Sequence, residues 1–372
     1  MESNTVISVK GNTSESINDL SLDGFAGVIE SINMGNVSVA RFAPPFILAL
    51  GTFGNLMIII MFSKQNSASS LNLFFKALAV SDLCLLYTGL FPWWIKQVSS
   101  FDLLVTHTVM CKLLTVLFNT AGVVSVWLLV AMTVQRAVSV VWPHKVNMLC
   151  TPRNAKYYLL GITICFILIN SHFLFGQILR QNGNSSNAQC TLNYDSAEYN
   201  FFMYKVWSWI DTLMYSLLPC VILIVSNSVL VWKVSESVRN ARVTLAQGQS
   251  DQLRAREKKA SSLTVTLVAI SLAFFLLSTP LSLLFIIAPY TSLDITVNPL
   301  GVAVLNFMYV LLNLFWYINS ALNFYLYCLT GTKFRNDFRL LLCCRNEQSS
   351  VLSLNTQISE TYTSKVQNET EF

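Results

Sequence analysis

Charge is what this 372-residue chain has least of: Asp, Glu, Lys and Arg make up 12% of it, against about 25% in an ordinary soluble domain. With 53% hydrophobic residues, a water-soluble fold could not cover its own surface, and lipid is the expected solvent for most of the chain. The 24 basic and 19 acidic residues leave a net charge of +5, too weak a bias to argue for nucleic acid as a partner. Glycine, proline and cysteine number only 14, 9 and 9, which excludes a collagen-like chain and a small disulfide scaffold. No H-E-x-x-H metal motif occurs, and Asp82 and Asp211 lack the flanking glycines of aspartyl intramembrane proteases, so an enzyme is not expected. The internal repeats of many transporters are missing as well.

What is present is seven apolar runs: 42–62, 71–95, 113–134, 157–179, 206–232, 261–288 and 300–329. Each approaches or exceeds the ~20 residues needed to cross a hydrocarbon core about 30 Å thick. Only Lys76, Asp82 and Asp211 bring formal charge into them. They are apolar all round rather than amphipathic, which argues against a soluble helical bundle. The expected fold is an all-α membrane protein, a bundle of seven transmembrane helices over 42–329.

The basic residues vote on orientation. With the amino terminus outside, Lys10, Arg41, Lys96, Lys112, Arg180 and Lys205 fall on the exterior and the other 18 of the 24 on the cytoplasmic side or its edge. Residues 1–41 then form an extracellular tail. No apolar stretch precedes residue 42, so the first run is expected to start insertion without a cleavable signal. Asn12, Asn36 and Asn184 open N-x-S/T triplets on exterior segments and are expected glycosylation sites. Cys111 and Cys190 are the only cysteines of the exterior loops, where disulfides persist, and form the expected pair. Their bridge would hold loop 180–205 over the bundle mouth.

Beyond the last run, Phe334, Phe338, Leu341 and Leu342 recur at helical spacing with Lys333, Arg335 and Arg339 between. This predicts an amphipathic eighth helix over 330–344, lying on the lipids of the inner leaflet. Cys343 and Cys344 at its end are expected palmitoylation sites. Residues 345–372 are polar and rich in Ser and Thr, the composition of a disordered cytoplasmic tail.

Several elements then stand in order, within the runs or just beyond their ends: Gly54-Asn55, Leu78-Ala-Val-Ser-Asp82, Cys111, Arg136 with Pro143 beyond it, Pro219, Pro280, Asn323-Phe-Tyr-Leu-Tyr327, and Phe334-Arg335. Over about residues 42–345 the chain resembles the rhodopsin-like (class A) family of G-protein-coupled receptors. The resemblance implies a plasma-membrane receptor that passes an extracellular signal to heterotrimeric G proteins by outward movement of the sixth helix. It also implies a sodium ion bound by Asp82 with Ser125, Asn319, Ser320 and Asn323, and no other cofactor. Arg136, with Gln135, Asn227 and Tyr327, would form the G-protein switch. Phe274, Ser278, Pro219 and Pro280 would form the hinge.

The departures carry information. Gln135 replaces the family's acid before the arginine and Ala137 its aromatic; Ser278 stands where a tryptophan is usual, and Phe324 where a proline is. Neither Gln135 nor Ala260 can clamp Arg136 with a carboxylate, which predicts raised basal activity, since a charge-assisted bond is roughly twice as strong as a neutral one. The details around Asn227 and the seventh run look most like invertebrate neuropeptide receptors of the FMRFamide and myosuppressin type.

The ligand pocket is expected among the outer halves of the third to seventh helices, with Phe118, Asp211, Glu198, Trp94, Tyr290 and Tyr309 as candidates. Phe118 stands where amine receptors carry an Asp. No lysine occurs between Lys259 and Lys333, so the last two spans cannot hold retinal as a Schiff base. An acidic, aromatic mouth is complementary to a cationic, aromatic peptide such as an Arg-Phe-amide. The alternatives are a receptor for a non-peptide ligand, a constitutively active one, or a membrane transporter. The tail hydroxyls, Ser349 to Ser364, suit a receptor kinase and arrestin, and Thr370-Glu-Phe372 suits a PDZ protein.

Overall fold

The computed structural model describes residues 12–65, 69–99, 101–181, 188–193, 195–245, 251–287 and 299–342. Each apolar run falls largely within a helix, and among the described residues seven helices are long and apolar enough to cross a membrane. They are α1 (Asn12–Lys64), α2 (Ser70 to Ser99), α3 (Thr108–Val141), α4 (Pro152 to Gly176), α5 (Ala197 to Leu245), α6 (Asp251–Ile287) and α7 (Pro299–Thr330). The short α8 (Thr332–Leu342) follows.

Local chemistry sets the helix starts, which fall outside the apolar runs. His107 accepts the amide of Val109 at 3.2 Å ahead of α3. Thr151 accepts that of Asn154 at 3.1 Å ahead of α4, where Pro152 occupies the first turn. Ser196 accepts that of Tyr199 at 3.2 Å and starts α5 nine residues before the predicted run. Such caps satisfy amides that the first turn leaves without an intrahelical partner. α1 likewise begins well before residue 42, so Asn36 stands half-buried within a helix rather than in a tail.

One expectation is corrected beyond α4. The fourth run was expected to stay helical to residue 179, yet the helix ends at Gly176 and Gln177–Gln181 form strand β1, paired antiparallel with β2 (Ala188–Leu192). Leu179 stands opposite Cys190. Cys190 in turn bridges to Cys111 in the first turn of α3. The hairpin thus caps that end of the bundle, and among the described residues it is the exception to a helical fold.

α3 runs through the middle, against α2, α4 and α5, while α7 packs on α1 and α6. Three apolar clusters hold the bundle. The one toward α8 centres on Phe74, Leu128, Met132 and Tyr327. The one toward the hairpin centres on Leu86, Leu90, Trp316 and Tyr317, and a small one under the hairpin joins Val116, Phe173 and Trp207. Outward-facing apolar residues such as Phe46, 70% exposed, have no protein neighbour to cover them and face lipid.

α5 is the least regular helix, with wide π-type turns at Phe202–Trp207 and Leu213–Leu217. The second ends just before Pro219, which lacks an amide donor and crowds the preceding turn. Pro280 sits within a continuous α6.

Candidate functional site

At the hairpin end the sequence's candidates separate. Arg180 and Asp195 pair at 2.5 Å, and Lys96 and Asp102 at 2.7 Å, so these two exterior acids already have cationic partners. Trp94 donates its indole N–H to the Arg41 carbonyl at 2.9 Å and ties α2 to α1. Glu198 is exposed in the first turn of α5. Asp211 lies thirteen residues further along, about 20 Å deeper at helical rise, so the two acids do not converge. Tyr309 packs edge-on against Phe285 of α6, with ring centroids 6.1 Å apart. Tyr290, Asn184 and both Cys343 and Cys344 lie outside the described residues, as do the whole tail and the side chain of Asn12.

Asp211 is an exposed acid within α5. Tyr215, one turn deeper on the same face of α5, is close enough to feel its charge. Tyr215 reaches into the centre, where its hydroxyl accepts the indole N–H of Trp316 from α7. Phe118 of α3 meets the same indole edge-on at 5.3 Å between centroids, Tyr317 adjoins it at 5.1 Å, and Phe274 of α6 lies 6.3 Å from Tyr215. Together these rings make an aromatic floor that joins α3, α5, α6 and α7.

Sequence reasoning missed the two residues that span this floor. Ser278 is buried and too small to fill the centre of the bundle; the indole that occupies it comes from α7. The available signal was Trp316 standing one turn before Asn319 and Ser320, which places it directly above the polar residues. Gly89 in the wide turn of α2 is a requirement of the same packing, because a Cβ there would collide with the Phe118 ring and the Tyr317 hydroxyl.

Below the floor lies the polar core. Asp82 is fully buried; Ser125 donates to one carboxylate oxygen at 2.8 Å and Asn323 to the other at 2.7 Å. Asn319 and Ser320 line the adjoining cavity, whose ~10 Å³ is about one water's worth of space. Asn55 of α1 donates to the Gly51 and Ser320 carbonyls at 3.0 and 3.1 Å, joining α1 to α7. Of the four residues expected around Asp82, Ser125 and Asn323 bond it directly. One carboxylate with hydroxyl and amide oxygens, beside a space the size of a small ion, is a donor set that fits sodium. Among the described residues no cation pairs with Asp82.

Residues 54–327 match the family described as 7 transmembrane receptor (rhodopsin family). The chain belongs to the rhodopsin family of seven-transmembrane receptors. It is 21% identical over 315 residues to the sex peptide receptor of Drosophila melanogaster, covering 79% of this chain and 70% of that one. It is 23% identical over 328 residues to the FMRFamide receptor of the same fly, covering 83% of this chain and 55% of that one. With the neuromedin-U receptor 2 of Mus musculus the identity is 26% over 305 residues, covering 79% and 72%. The protein is thus a multi-pass membrane receptor of the G-protein-coupled class and not an enzyme.

At the α8 end, the receptor's Gln135 does not turn toward Arg136. Its amide donates to the Ser70 hydroxyl at the start of α2, and that hydroxyl donates to the Cys150 carbonyl at 2.9 Å. A neutral relay thereby ties α3 to α2 and to the segment ahead of α4. Among the described residues Arg136 has no acidic partner. Tyr327 is buried edge-on against Phe75 at 5.0 Å. Its hydroxyl, like Oδ1 of Asn227, is buried without a hydrogen-bond partner among the described residues.

Phe324, in place of the family's usual proline, has a clear packing role. It meets Phe53 of α1 at 5.8 Å and Phe334 and Phe338 of α8 at 5.7 and 5.3 Å. Gly54 permits this approach, since a Cβ there would lie 2.9 Å from that of Phe324. Arg335 donates to the Cys328 and Leu329 carbonyls at 3.2 and 2.8 Å, closing the end of α7.

Proposed function

We propose that this receptor recognises a cationic, aromatic peptide at the hairpin end, which faces the cell exterior, and signals to a heterotrimeric G protein at the α8 end. The observation that carries the reading is Asp211: an exposed acid with no ion-pair partner among the described residues, one turn above the aromatic floor. A guanidinium or ammonium on the ligand would pair with it while an aromatic side chain settles on Phe118, Trp316 and Tyr215. The relatives named above as receptors for sex peptide, FMRFamide and neuromedin-U support a peptide ligand, and the FMRFamide name favours the Arg-Phe-amide chemistry in particular.

In this reading Arg136 meets the G protein, with Asn227 and Tyr327 rearranging beside it as α6 swings about Pro280 and α5 about Pro219. The sodium ion would be held by Asp82, Ser125 and the amide oxygens nearby, where it supplies positive charge that offsets a carboxylate buried in the membrane. Kinase, arrestin and PDZ contacts belong to the tail.

The test is a panel of amidated peptides on cells expressing the receptor, with calcium and cAMP recorded together. A charged hydrogen bond contributes about 2 kcal/mol, so Asp211→Asn should weaken an Arg-containing agonist about thirtyfold. Its effect on a citrulline-substituted analogue should be small. Equal loss for both peptides, or activation only by lipids or small acids, would overturn the reading.

A further inference from the structure

Where α7 turns into α8, α6 is joined to the corner by hydroxyl groups. Ser262 donates to the Thr330 carbonyl at 3.2 Å, and accepts the Thr332 amide at 3.0 Å and the Thr332 hydroxyl at 3.4 Å. One turn further along α6, the buried Thr266 hydroxyl accepts that of Thr330 at 2.8 Å. A serine hydroxyl has one proton and two lone pairs, so the whole hydrogen-bonding capacity of Ser262 is directed at this corner.

Thr332 is the first residue of α8, and its amide is among those that a helix start leaves without an intrahelical partner. The usual remedy is a Ser, Thr, Asp or Asn side chain just ahead of the helix. Gly331 occupies that position, the single residue between α7 and α8. A Cβ there would lie 2.8 Å from the Tyr327 carbonyl oxygen and 3.2 Å from the Phe334 Cβ. The corner is therefore too tight for a capping side chain of its own, and α6 supplies the cap. Ser262 also stands at the far end of a lever: it lies eighteen residues before Pro280, or about 27 Å along α6. A tilt of about 10° at Pro280 would carry it about 5 Å, enough to part each of these bonds.

We propose that Ser262 is a positioning residue for α6, holding it in the resting receptor by capping α8 from across the gap between the two helices. The clasp is a neutral restraint in a receptor whose Arg136 has no acidic partner among the described residues, and it makes the first turn of α8 sense where α6 stands. Its role in signalling rests on the proposed outward swing of α6, whereas the cap is a property of the fold alone.

The full chain in nanodiscs would be followed by hydrogen exchange and mass spectrometry, with neither ligand nor G protein present. In Ser262→Ala the amides from Thr332 to Arg335 should exchange about fivefold faster, the effect of losing one net hydrogen bond. Ser262→Thr keeps the hydroxyl and should restore the parental rate. Ser262 is half-buried at the end of α6, so both variants should fold, as a thermal melt would check. Ligand-free nucleotide exchange on a panel of purified heterotrimeric G proteins reads the restraint: Ser262→Ala should raise it about fivefold at equal receptor concentration, Ser262→Thr should not, and the nearly isosteric Thr266→Val should raise it in the same direction. Unchanged amide exchange in Ser262→Ala would overturn the proposal. So would faster amide exchange with unchanged basal activity toward a G protein that the parent does activate. A parent that activates no G protein, while its α8 amides still respond to Ser262→Ala, would overturn the proposed function and leave the cap established.

Discussion

Replacing Tyr215 with phenylalanine keeps the ring that packs on Phe274 and Trp316 but deletes the hydroxyl that accepts the Trp316 indole N–H. A neutral buried hydrogen bond contributes about 1 kcal/mol net, whereas an unpaired buried donor costs about 1–3 kcal/mol. With Trp316 almost fully buried, no water replaces the lost acceptor, and a loss of about 2 kcal/mol is expected. At about 2–4 °C per kcal/mol for a large domain, the unfolding midpoint of the purified receptor should fall by about 4–8 °C. Trp316→Phe removes the donor and some volume, and should cost at least as much. The decisive quantity is the double variant. Because removing both partners leaves no orphaned N–H, it should be about 1–2 kcal/mol more stable than the sum of the singles predicts. Strictly additive midpoints, or a Tyr215→Phe receptor as stable as the parent, would show that the contact across α5 and α7 carries no energy.

Other expectations follow from the same geometry. Gln135→Glu gives Arg136 a carboxylate neighbour, so ligand-free nucleotide exchange on purified G protein should fall severalfold at equal surface expression; unchanged exchange would dismiss the idea that lost ion pairing raises basal activity. Asp82→Asn should abolish any dependence of agonist affinity on sodium while potassium remains inert in both forms, measured by radioligand competition; retained sodium dependence would move the ion elsewhere. Gly89→Ala overpacks the floor against Phe118 and Tyr317 at a cost of about 1–3 kcal/mol, and should lower both surface expression and agonist potency.

Much of this was legible in the sequence, for a reason that differs by element. Seven spans and the amphipathic α8 follow from hydrophobicity, because in lipid a chain must satisfy its backbone internally and long apolar runs have no alternative to helix. The Cys111–Cys190 bridge followed from which cysteines remain outside. Helix boundaries were less accessible: α5 starts at a Ser196 cap within a polar stretch, where hydropathy gives no signal. The hairpin was hidden because Ile178 and Leu179 resume the apolar run of α4 after only Gly176 and Gln177. Strand pairing there depends on a separate partner segment, Ala188–Leu192, beyond the intervening loop.

The candidate site divides along the same line. Composition and motif order determined the membrane fold, the receptor family and the residues gathered around Asp82, since each is a property of residue type and position along one helix. Only the tertiary structure decided that Trp316 of α7 fills the centre left open by Ser278, and that Gln135 turns to Ser70 instead of Arg136. It alone also set Asp211 one turn from Tyr215 of the floor, with Glu198 at the start of α5 and Trp94 bonded to α1. Those outcomes depend on how helices rotate and which faces meet, and a pattern read along a single helix carries no information about the rotation of its neighbours.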